Sequence, residues 1–315
     1  MRKLVTAFKL FAVLSVLALN SCQDENIEIP QDQVSKTVSV SDLKKEITPG
    51  LQELPKVVQT QLEDSKVNLG KYLRNDLQIT GVTILGRLGT PQSIEISKKL
   101  ISEKEGYIAF GNITDPASVK TGKMNELYSG NALSIAQSGL RELAEKEIKP
   151  DMGVIEITWK NNKTQFTTLC FFNDSGIIWD NVLGGLIMMD TRGNTETSTS
   201  GNPMAKVSSK WSKQWWTANW LWGSKRGEIG YKITIYYSGS TVSNTDVSDW
   251  GSISLGKAKS ESKILKSTGA YGQCRYALGL CTPLGSLSFN TSNFTVSFSG
   301  LGSNVVSNGT KSLYP

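Results

Sequence analysis

The stretch GEIGYKITIYYSG, residues 227–239, is the clearest β-strand pattern in the chain. Its β-branched and aromatic residues alternate with glycine and polar residues, which places one set on a single face of an extended backbone. That set consists of Ile229, Tyr231, Ile233, Ile235 and Tyr237. The pattern therefore predicts a strand with one buried face, and Tyr236 next to Tyr237 turns one tyrosine away from it.

Strand and turn signals continue from this strand to the last residues. Short runs of β-branched and aromatic residues alternate with Gly, Ser, Asn and Asp, which is typical of antiparallel sheets. The runs cover residues 247–258, 273–281, 285–290 and 293–300. We predict an all-β, sandwich-like C-terminal domain over residues 204–315.

Helix and strand signals are mixed in the preceding part of the chain. Two short helices are predicted over residues 41–64, and strands over 77–87, 91–101, 105–113, 153–160 and 164–172. Residues 131–148 give the strongest helix pattern, because Leu133, Ala136, Leu140 and Leu143 form one apolar stripe. The sequence thus predicts an α+β N-terminal domain over residues 41–189, with helices packed on a mainly antiparallel sheet.

Composition and charge both change near residue 200. Residues 190–203, DTRGNTETSTSGNP, contain no large apolar side chain, which predicts a solvated linker. The net charge of the whole chain is +6, but residues 203–315 hold 12 basic and 4 acidic residues, whereas residues 22–202 sum to −5. A domain boundary at the linker would separate an acidic domain from a basic one.

The first residues resemble the signal of a bacterial lipoprotein. Basic residues precede an apolar run over residues 10–19, which is too short to span a bilayer. The run ends in Leu19, Asn20, Ser21 and Cys22, with leucine and a small residue placed before the cysteine as in lipoprotein cleavage sites. The residues that follow, QDENIEIP, resemble the acidic segment of Bacteroidota-type outer-membrane lipoproteins.

The resemblance implies a signal peptide over residues 1–21, acylation of Cys22 and an acidic tether over residues 22–40. It also implies a lipid anchor in the outer membrane and exposure at the cell surface, because several acyl chains together anchor a protein stably. The alternative is an ordinary cleaved signal in which Cys22 has no role. We recognise no family over residues 41–315.

Catalytic chemistry is restricted by the absence of histidine from the whole sequence. Ser-His-Asp and Cys-His arrangements and imidazole metal sites are excluded. A pair of carboxylates, as in glycoside hydrolases, needs no histidine, but the sequence does not bring Asp174 and Asp180 together. The glycines do not match nucleotide-binding spacings. We predict a protein that is not an enzyme and that has no cofactor and no metal site.

Three cysteines lie beyond the signal region. Cys274 and Cys281 are seven residues apart, a loop length that a disulfide can close in an oxidising compartment. The alternative is a pair of free thiols on separate faces. Cys170 lies in an apolar strand and is interpreted as a core residue.

Five of the eight tryptophans lie in KWSKQWWTANWLWGSKRG, residues 210–227. In a helix, Trp211, Trp215 and Trp222 would share a stripe, whereas in a strand Trp216, Trp220 and Trp222 would share one face and Trp215 would lie on the other. Either geometry puts indoles on both sides, so we expect some of them to be exposed. The alternative is that they form an interdomain or oligomer core.

These indoles and the cations beside them are the predicted contact residues: Trp211, Trp215, Trp216, Trp220, Trp222, Lys213, Lys225 and Arg226. We expect a surface lipoprotein, an adhesin or capture module, whose basic β domain binds a glycan or an anionic surface. A membrane-active, toxin-like protein that inserts this segment into a target bilayer is the alternative. A carboxylate-dependent glycan hydrolase is a weaker alternative, and a nucleic-acid partner is not expected at the cell surface.

Overall fold

A computed structural model describes residues 48, 50–102, 107–189, 192–200, 207–282, 285–290, 295–300 and 303–315. The predicted signal peptide, Cys22 and the acidic tether lie outside these residues. From residue 47 onward the chain forms one compact unit.

The described part of the first half combines helices with short strands. The α-helices are α1 (Lys56–Leu73), α2 (Gln92–Ser102), α3 (Met124–Leu127) and α4 (Gly130–Lys146), and one-turn 3-10 helices lie at Leu51–Glu53, Pro116–Ser118 and Leu183–Gly185. The strands are β1 (Gln78–Gly86), β2 (Tyr107–Asn112), β3 (Lys120–Lys123), β4 (Gly153–Lys160), β5 (Gln165–Asn173), β6 (Gly176–Asp180) and β7 (Leu186–Met189).

Strands alone make up the regular structure of the described residues in the second half. They are β8 (Asn194–Ser200), β9 (Ser208–Asn219), β10 (Lys225–Ser238), β11 (Thr241–Ile253), β12 (Lys257–Lys266), β13 (Gly272–Cys281), β14 (Gly285–Asn290), β15 (Thr295–Gly300) and β16 (Ser303–Leu313). The predicted fold class, an α+β region followed by a sandwich-like all-β region, is confirmed.

The first core lies against an antiparallel sheet of order β1-β4-β5-β6. Ile155, Ile157 and Trp159 of β4 are fully buried in it, as their alternation with polar residues predicts. Helix α4 contributes the predicted stripe, of which Ala136 and Leu140 are buried in the same core. Period-2 and period-3.6 patterns were therefore sufficient to place these side chains correctly.

The prediction of a strand over residues 91–101 is wrong, because this stretch is helix α2. Its buried positions are Ser93, Ser97 and Leu100, which are spaced as on one face of a helix. The two serines are small enough to be covered, and each hydroxyl donates a hydrogen bond to a main-chain carbonyl, Ser93 to Lys149 and Ser97 to Ile94. The isoleucines at 94 and 96, which suggested a strand, are only partly buried.

The predicted linker is also different in the structure. Residues Asn194–Ser200 form β8, which pairs antiparallel with β9 along its whole length. Backbone hydrogen bonds hold this edge strand, so its polar composition does not prevent pairing. Its neighbour β7 pairs with both β2 and β9, so the regions 41–189 and 204–315 share one seven-stranded sheet.

The sandwich forms where the sheet of β12, β13 and β16 packs on one face of β9, β10 and β11. The predicted face of β10 supplies Ile229, Tyr231, Ile233 and Ile235, all of them buried. The ring of Tyr231 stacks on that of Tyr276 from β13, with centroids 3.9 Å apart. We call the opposite face of β8–β11 the outer face.

The suggested disulfide between Cys274 and Cys281 does not form. The two residues are the third and last residues of one strand, β13, and both are free thiols. Seven residues of extended chain span roughly 23 Å, whereas a disulfide needs Cα atoms within about 7 Å. Spacing along the sequence suggested a loop, but the intervening residues are extended.

We expect both thiols to resist alkylation in the folded protein. Each is buried, and burial raises the pKa of Cys274 and of Cys281 to about 11, so little reactive thiolate exists at neutral pH. Peptide mapping after iodoacetamide treatment should show both unmodified in buffer and both modified in denaturant. Recovery of a peptide that links the two cysteines, or rapid labelling in buffer, would contradict this assignment.

Candidate functional site

Strand β9 is extended, so its odd-numbered and even-numbered side chains point to opposite faces of the sheet. Trp216 points into the sandwich core with Ala218 and is 3% exposed. Trp211 and Trp215 lie on the outer face and are half-buried. The extended alternative is therefore correct as far as Asn219, where β9 ends.

The last two tryptophans of the segment lie in the turn between β9 and β10, and both are buried in the first core. Trp220 and Trp222 stack on each other with centroids 4.6 Å apart. Between them, the carbonyl of Leu221 accepts a hydrogen bond from the side-chain amide of Asn68 in α1, at 2.7 Å. The turn thus inserts three large side chains among the helices and strands of the first half.

Arg226 is 2% exposed and is held by main-chain carbonyls. Its guanidinium donates to Gly184 at 2.7 Å, to Leu255 at 2.9 Å and to Ser254 at 3.1 Å. It also lies over the ring of Trp220, 3.9 Å from the centroid. Burial lowers the pKa of this guanidinium to about 9.

Four of the residues predicted to contact a ligand therefore do not lie at the surface. Trp216, Trp220, Trp222 and Arg226 are all buried, so none of them reaches a partner at the surface. Their burial has a common reason, since a turn and the inner face of a sheet both pack into cores. The interpretation of these indoles as core residues holds for three of the five, and two remain for a surface site.

The outer face holds a cluster of aromatic rings and lysines that we call the tryptophan-lysine face: Trp211, Trp215, Trp250, Lys213 and Lys232. All five side chains are half-buried. Trp250 comes from β11 and Lys232 from β10, and the sequence did not identify either of them as a site residue. It placed both in predicted strands but did not show which strands lie side by side.

Each indole of this face has an ammonium group over it. The Nζ of Lys213 lies 4.6 Å from the ring centroid of Trp215 and 5.0 Å from that of Trp250. The Nζ of Lys232 lies 4.7 Å from the centroid of Trp211. Such cation-π contacts orient both partners.

Gly230 lies between Trp215 and Trp250 in register and makes their arrangement possible. A Cβ atom at this position would lie 2.5 Å from Cζ2 of Trp250 and 2.8 Å from Cβ of Trp215. Any larger residue would therefore displace the rings. The glycine lets the Trp250 ring lie close over the backbone of β10.

Acidic residues occupy the margins of the face. Glu228 accepts a hydrogen bond from Nε1 of Trp250 at 2.8 Å and forms an ion pair with Lys225 at 2.9 Å. Partial burial raises the pKa of Glu228. The bonds from Lys225 and Trp250 lower the pKa by more than burial raises it, so the carboxylate stays ionised. Glu196 of β8 is the cross-strand partner of Lys213, and Asp246 lies on β11.

The two carboxyls considered for glycan hydrolysis are in different environments. Asp174 is exposed in a turn, whereas Asp180 is fully buried and caps the main-chain N–H groups of Val182 and Leu183. A buried carboxyl without access to substrate does not support a paired acid-base role. Among the described residues, no group of three or more Cys, Asp and Glu side chains is placed to hold a metal ion.

Comparison with known proteins adds no relative. No family model matches the sequence, and no curated protein or solved structure is significantly similar to it. Within the residues that the structure describes, no helix is both long and apolar enough to cross a membrane.

Proposed function

We propose that the protein is a surface-anchored lipoprotein that captures a glycan on its tryptophan-lysine face. The observation that carries the proposal is the set of three half-buried indoles held in register on one face of a sheet. The lipoprotein-like signal that ends at Cys22 supports a lipid anchor in the outer membrane.

Indole rings suit sugars because the apolar face of a pyranose stacks on an aromatic ring. Hydroxyl and amide groups surround the indoles on the outer face and can bind the sugar hydroxyls: Asn194, Ser198, Ser209, Thr217, Thr234, Tyr236, Asn244 and Ser248. A rigid sheet holds these groups in place, so little conformational freedom is lost on binding.

The size of the face favours a chain of several sugars. Trp211 and Trp215 are four residues apart on one strand, which corresponds to roughly 13 Å. The backbones at Trp215 and Trp250 lie on either side of strand β10, roughly 10 Å apart, and the Trp250 ring extends over β10 toward Trp215. A single monosaccharide is too small to contact all three rings, so the proposed ligand is an oligosaccharide.

Insertion into a bilayer is the competing use of such a surface. Glu196, Glu228 and Asp246 on the outer face offset Lys213, Lys225 and Lys232. An extended anionic lipid surface would meet all six groups at once, so the carboxylates would cancel much of the attraction that the lysines provide. The rings are also half-buried among polar side chains, and the described residues beside them form no apolar face that would enter the acyl region. A glycan therefore fits this face better.

Replacing Trp215 and Trp250 together by alanine should lower glycan affinity by about tenfold or more for each ring, the effect of losing a central aromatic contact. A glycan array, followed by calorimetry on the best oligosaccharide, measures this loss for the full chain. Tyr314→Ala is the matched control, because Tyr314 is 57% exposed and lies outside the outer face.

The bilayer alternative is tested on the same proteins. Leakage from anionic liposomes is measured with the Cys22→Ser variant, so that an acyl anchor does not itself bind the vesicles. The proposal predicts no leakage. Leakage that disappears in the double tryptophan variant, together with silence on the glycan array, would replace glycan capture by membrane insertion.

A further inference from the structure

Two lysines face each other at the centre of the tryptophan-lysine face. Lys213 of β9 and Lys232 of β10 are direct cross-strand partners. Like charges in this position destabilise a sheet. The two ammonium groups diverge, that of Lys213 toward Trp215 and Trp250 and that of Lys232 toward Trp211. A pair of positive charges at the centre of a face is complementary to an anionic group bound between them.

We infer that the captured glycan is acidic, with a sugar carboxylate bound between Lys213 and Lys232 and sugar rings stacked on the flanking indoles. This inference rests on the proposed function and specifies its ligand as a chain of uronic acids. It assigns different roles to the two kinds of side chain. The indoles bind any pyranose face, whereas the lysines select for charge.

The contacts of the free protein allow a carboxylate to replace the indole rings as the partner of each ammonium group. A cation-π contact at a half-exposed site is weaker than a charge-assisted hydrogen bond to a carboxylate. An arriving carboxylate can therefore draw each ammonium group away from its ring. The ring face that the ammonium group covered then becomes available to the sugar, so binding of the charge and stacking of the ring favour each other.

Charge at the margins distinguishes carboxylated from sulfated glycans. Glu196 on β8 is the other cross-strand neighbour of Lys213, Asp246 lies on β11, and Glu228 lies beside Trp250. A densely sulfated chain would bring additional negative groups against these carboxylates, and like-charge contacts oppose binding. A uronic acid has one carboxylate per sugar, so it brings fewer negative groups to the acidic margins than a sulfated chain and still supplies one for the central lysines.

The test compares oligosaccharides that differ only in charge. Tetramers of galacturonate, glucuronate and mannuronate are each measured by calorimetry beside their methyl esters, which keep the rings and remove the charge. For at least one pair, the acid should bind about tenfold or more tightly than its ester at low salt, the effect of about one charge-assisted hydrogen bond. The preference should decrease as salt is added, because exposed charges are screened.

Lys213→Gln and Lys232→Gln should each reduce the preference for the acid and leave affinity for the ester unchanged or higher. The melting temperature of Lys232→Gln should be equal to or above that of the wild type, since the like-charge pair is removed. That of Lys213→Gln should stay close to the wild type, because this variant also loses the cross-strand carboxylate of Glu196. Lys263→Gln is the matched control, because Lys263 is exposed on β12, outside the outer face. It should keep the full preference.

The outcomes separate this inference from the proposed function. Equal affinity for acid and ester in all three pairs, with loss of both in the double tryptophan variant, overturns the acidic ligand and leaves glycan capture in place. Tighter binding of a sulfated tetramer overturns the choice of carboxylate. Absence of binding to these pairs and to every neutral glycan on the array rejects both.

Discussion

Replacing Arg226 by methionine should lower the free energy of unfolding by about 3–5 kcal/mol. Methionine fills part of the same space but donates no hydrogen bond. The carbonyls of Gly184, Ser254 and Leu255 would lose their charged donor inside the protein, and each buried carbonyl left unpaired costs about 1–3 kcal/mol. Release of a buried charge offsets part of this cost, as the lowered pKa of Arg226 indicates.

Urea unfolding followed by circular dichroism measures the loss. Lys225→Met is the control, because it removes the neighbouring cation, whose ion pair with Glu228 is exposed on the lysine side. An exposed ion pair contributes less than about 1 kcal/mol, so this variant should unfold close to the wild-type midpoint. Equal midpoints for the two variants would show that the carbonyl contacts of Arg226 contribute nothing to stability.

The position of Arg226 explains why the boundary near residue 200 does not separate the two regions. Its guanidinium belongs to β10 but binds carbonyls just before and at the start of β7, at Gly184 and Leu186. Trp220 and Trp222 from the same region of the chain are buried in the first core. Composition detects where polar residues accumulate, but these long-range contacts join both regions into one unit.

Local patterns predicted the faces of individual elements well. The alternation in β4 and β10 and the apolar stripe of α4 were sufficient because one face of each element is buried. Helix α2 and strand β8 were missed for the opposite reason. Two of the buried residues of α2 are serines, and β8 is held at a sheet edge by backbone hydrogen bonds, so neither element has an apolar pattern.

The candidate site was only partly predictable from the sequence. Trp211, Lys213 and Trp215 were identified because they lie in one dense segment. Trp250 lies on β11, on the far side of β10, and its place in the site depends on the register of β10 with β9 and β11. Burial of Arg226 was missed since a charged side chain is normally exposed, and only the carbonyls of distant segments make its burial favourable.

Asp180 should make the protein less stable as the pH rises from about 4 to about 6. Its side chain is fully buried, and Oδ2 has no hydrogen-bond partner among the described residues. Burial raises the pKa of this carboxyl to about 6, although hydrogen bonds from Thr168, Leu183 and Val182 lower it. In the unfolded chain its pKa is about 3.9.

The sign of the effect follows from these two values. Between pH 4 and pH 6 the unfolded chain has released the proton while the folded protein keeps it, so the free energy of unfolding falls with increasing pH. The total decrease is about 3 kcal/mol, complete above pH 6 and absent below pH 4. Asp180→Asn removes the titration and keeps an oxygen that accepts from Val182 and Leu183.

The measured quantity is the difference in unfolding free energy between wild type and Asp180→Asn at pH values from 4 to 7.5. It should change by about 3 kcal/mol in favour of the variant, because titrations elsewhere in the chain cancel in the difference. Asp174→Asn makes the same chemical change in an exposed turn of the same hairpin, where water solvates the carboxylate before and after unfolding. This variant controls for the replacement of a carboxylate by an amide. A difference for Asp180→Asn that does not change with pH would mean that water or a neighbouring cation reaches this carboxyl. The interior beside Cys170 would then not be the dry environment that its burial implies.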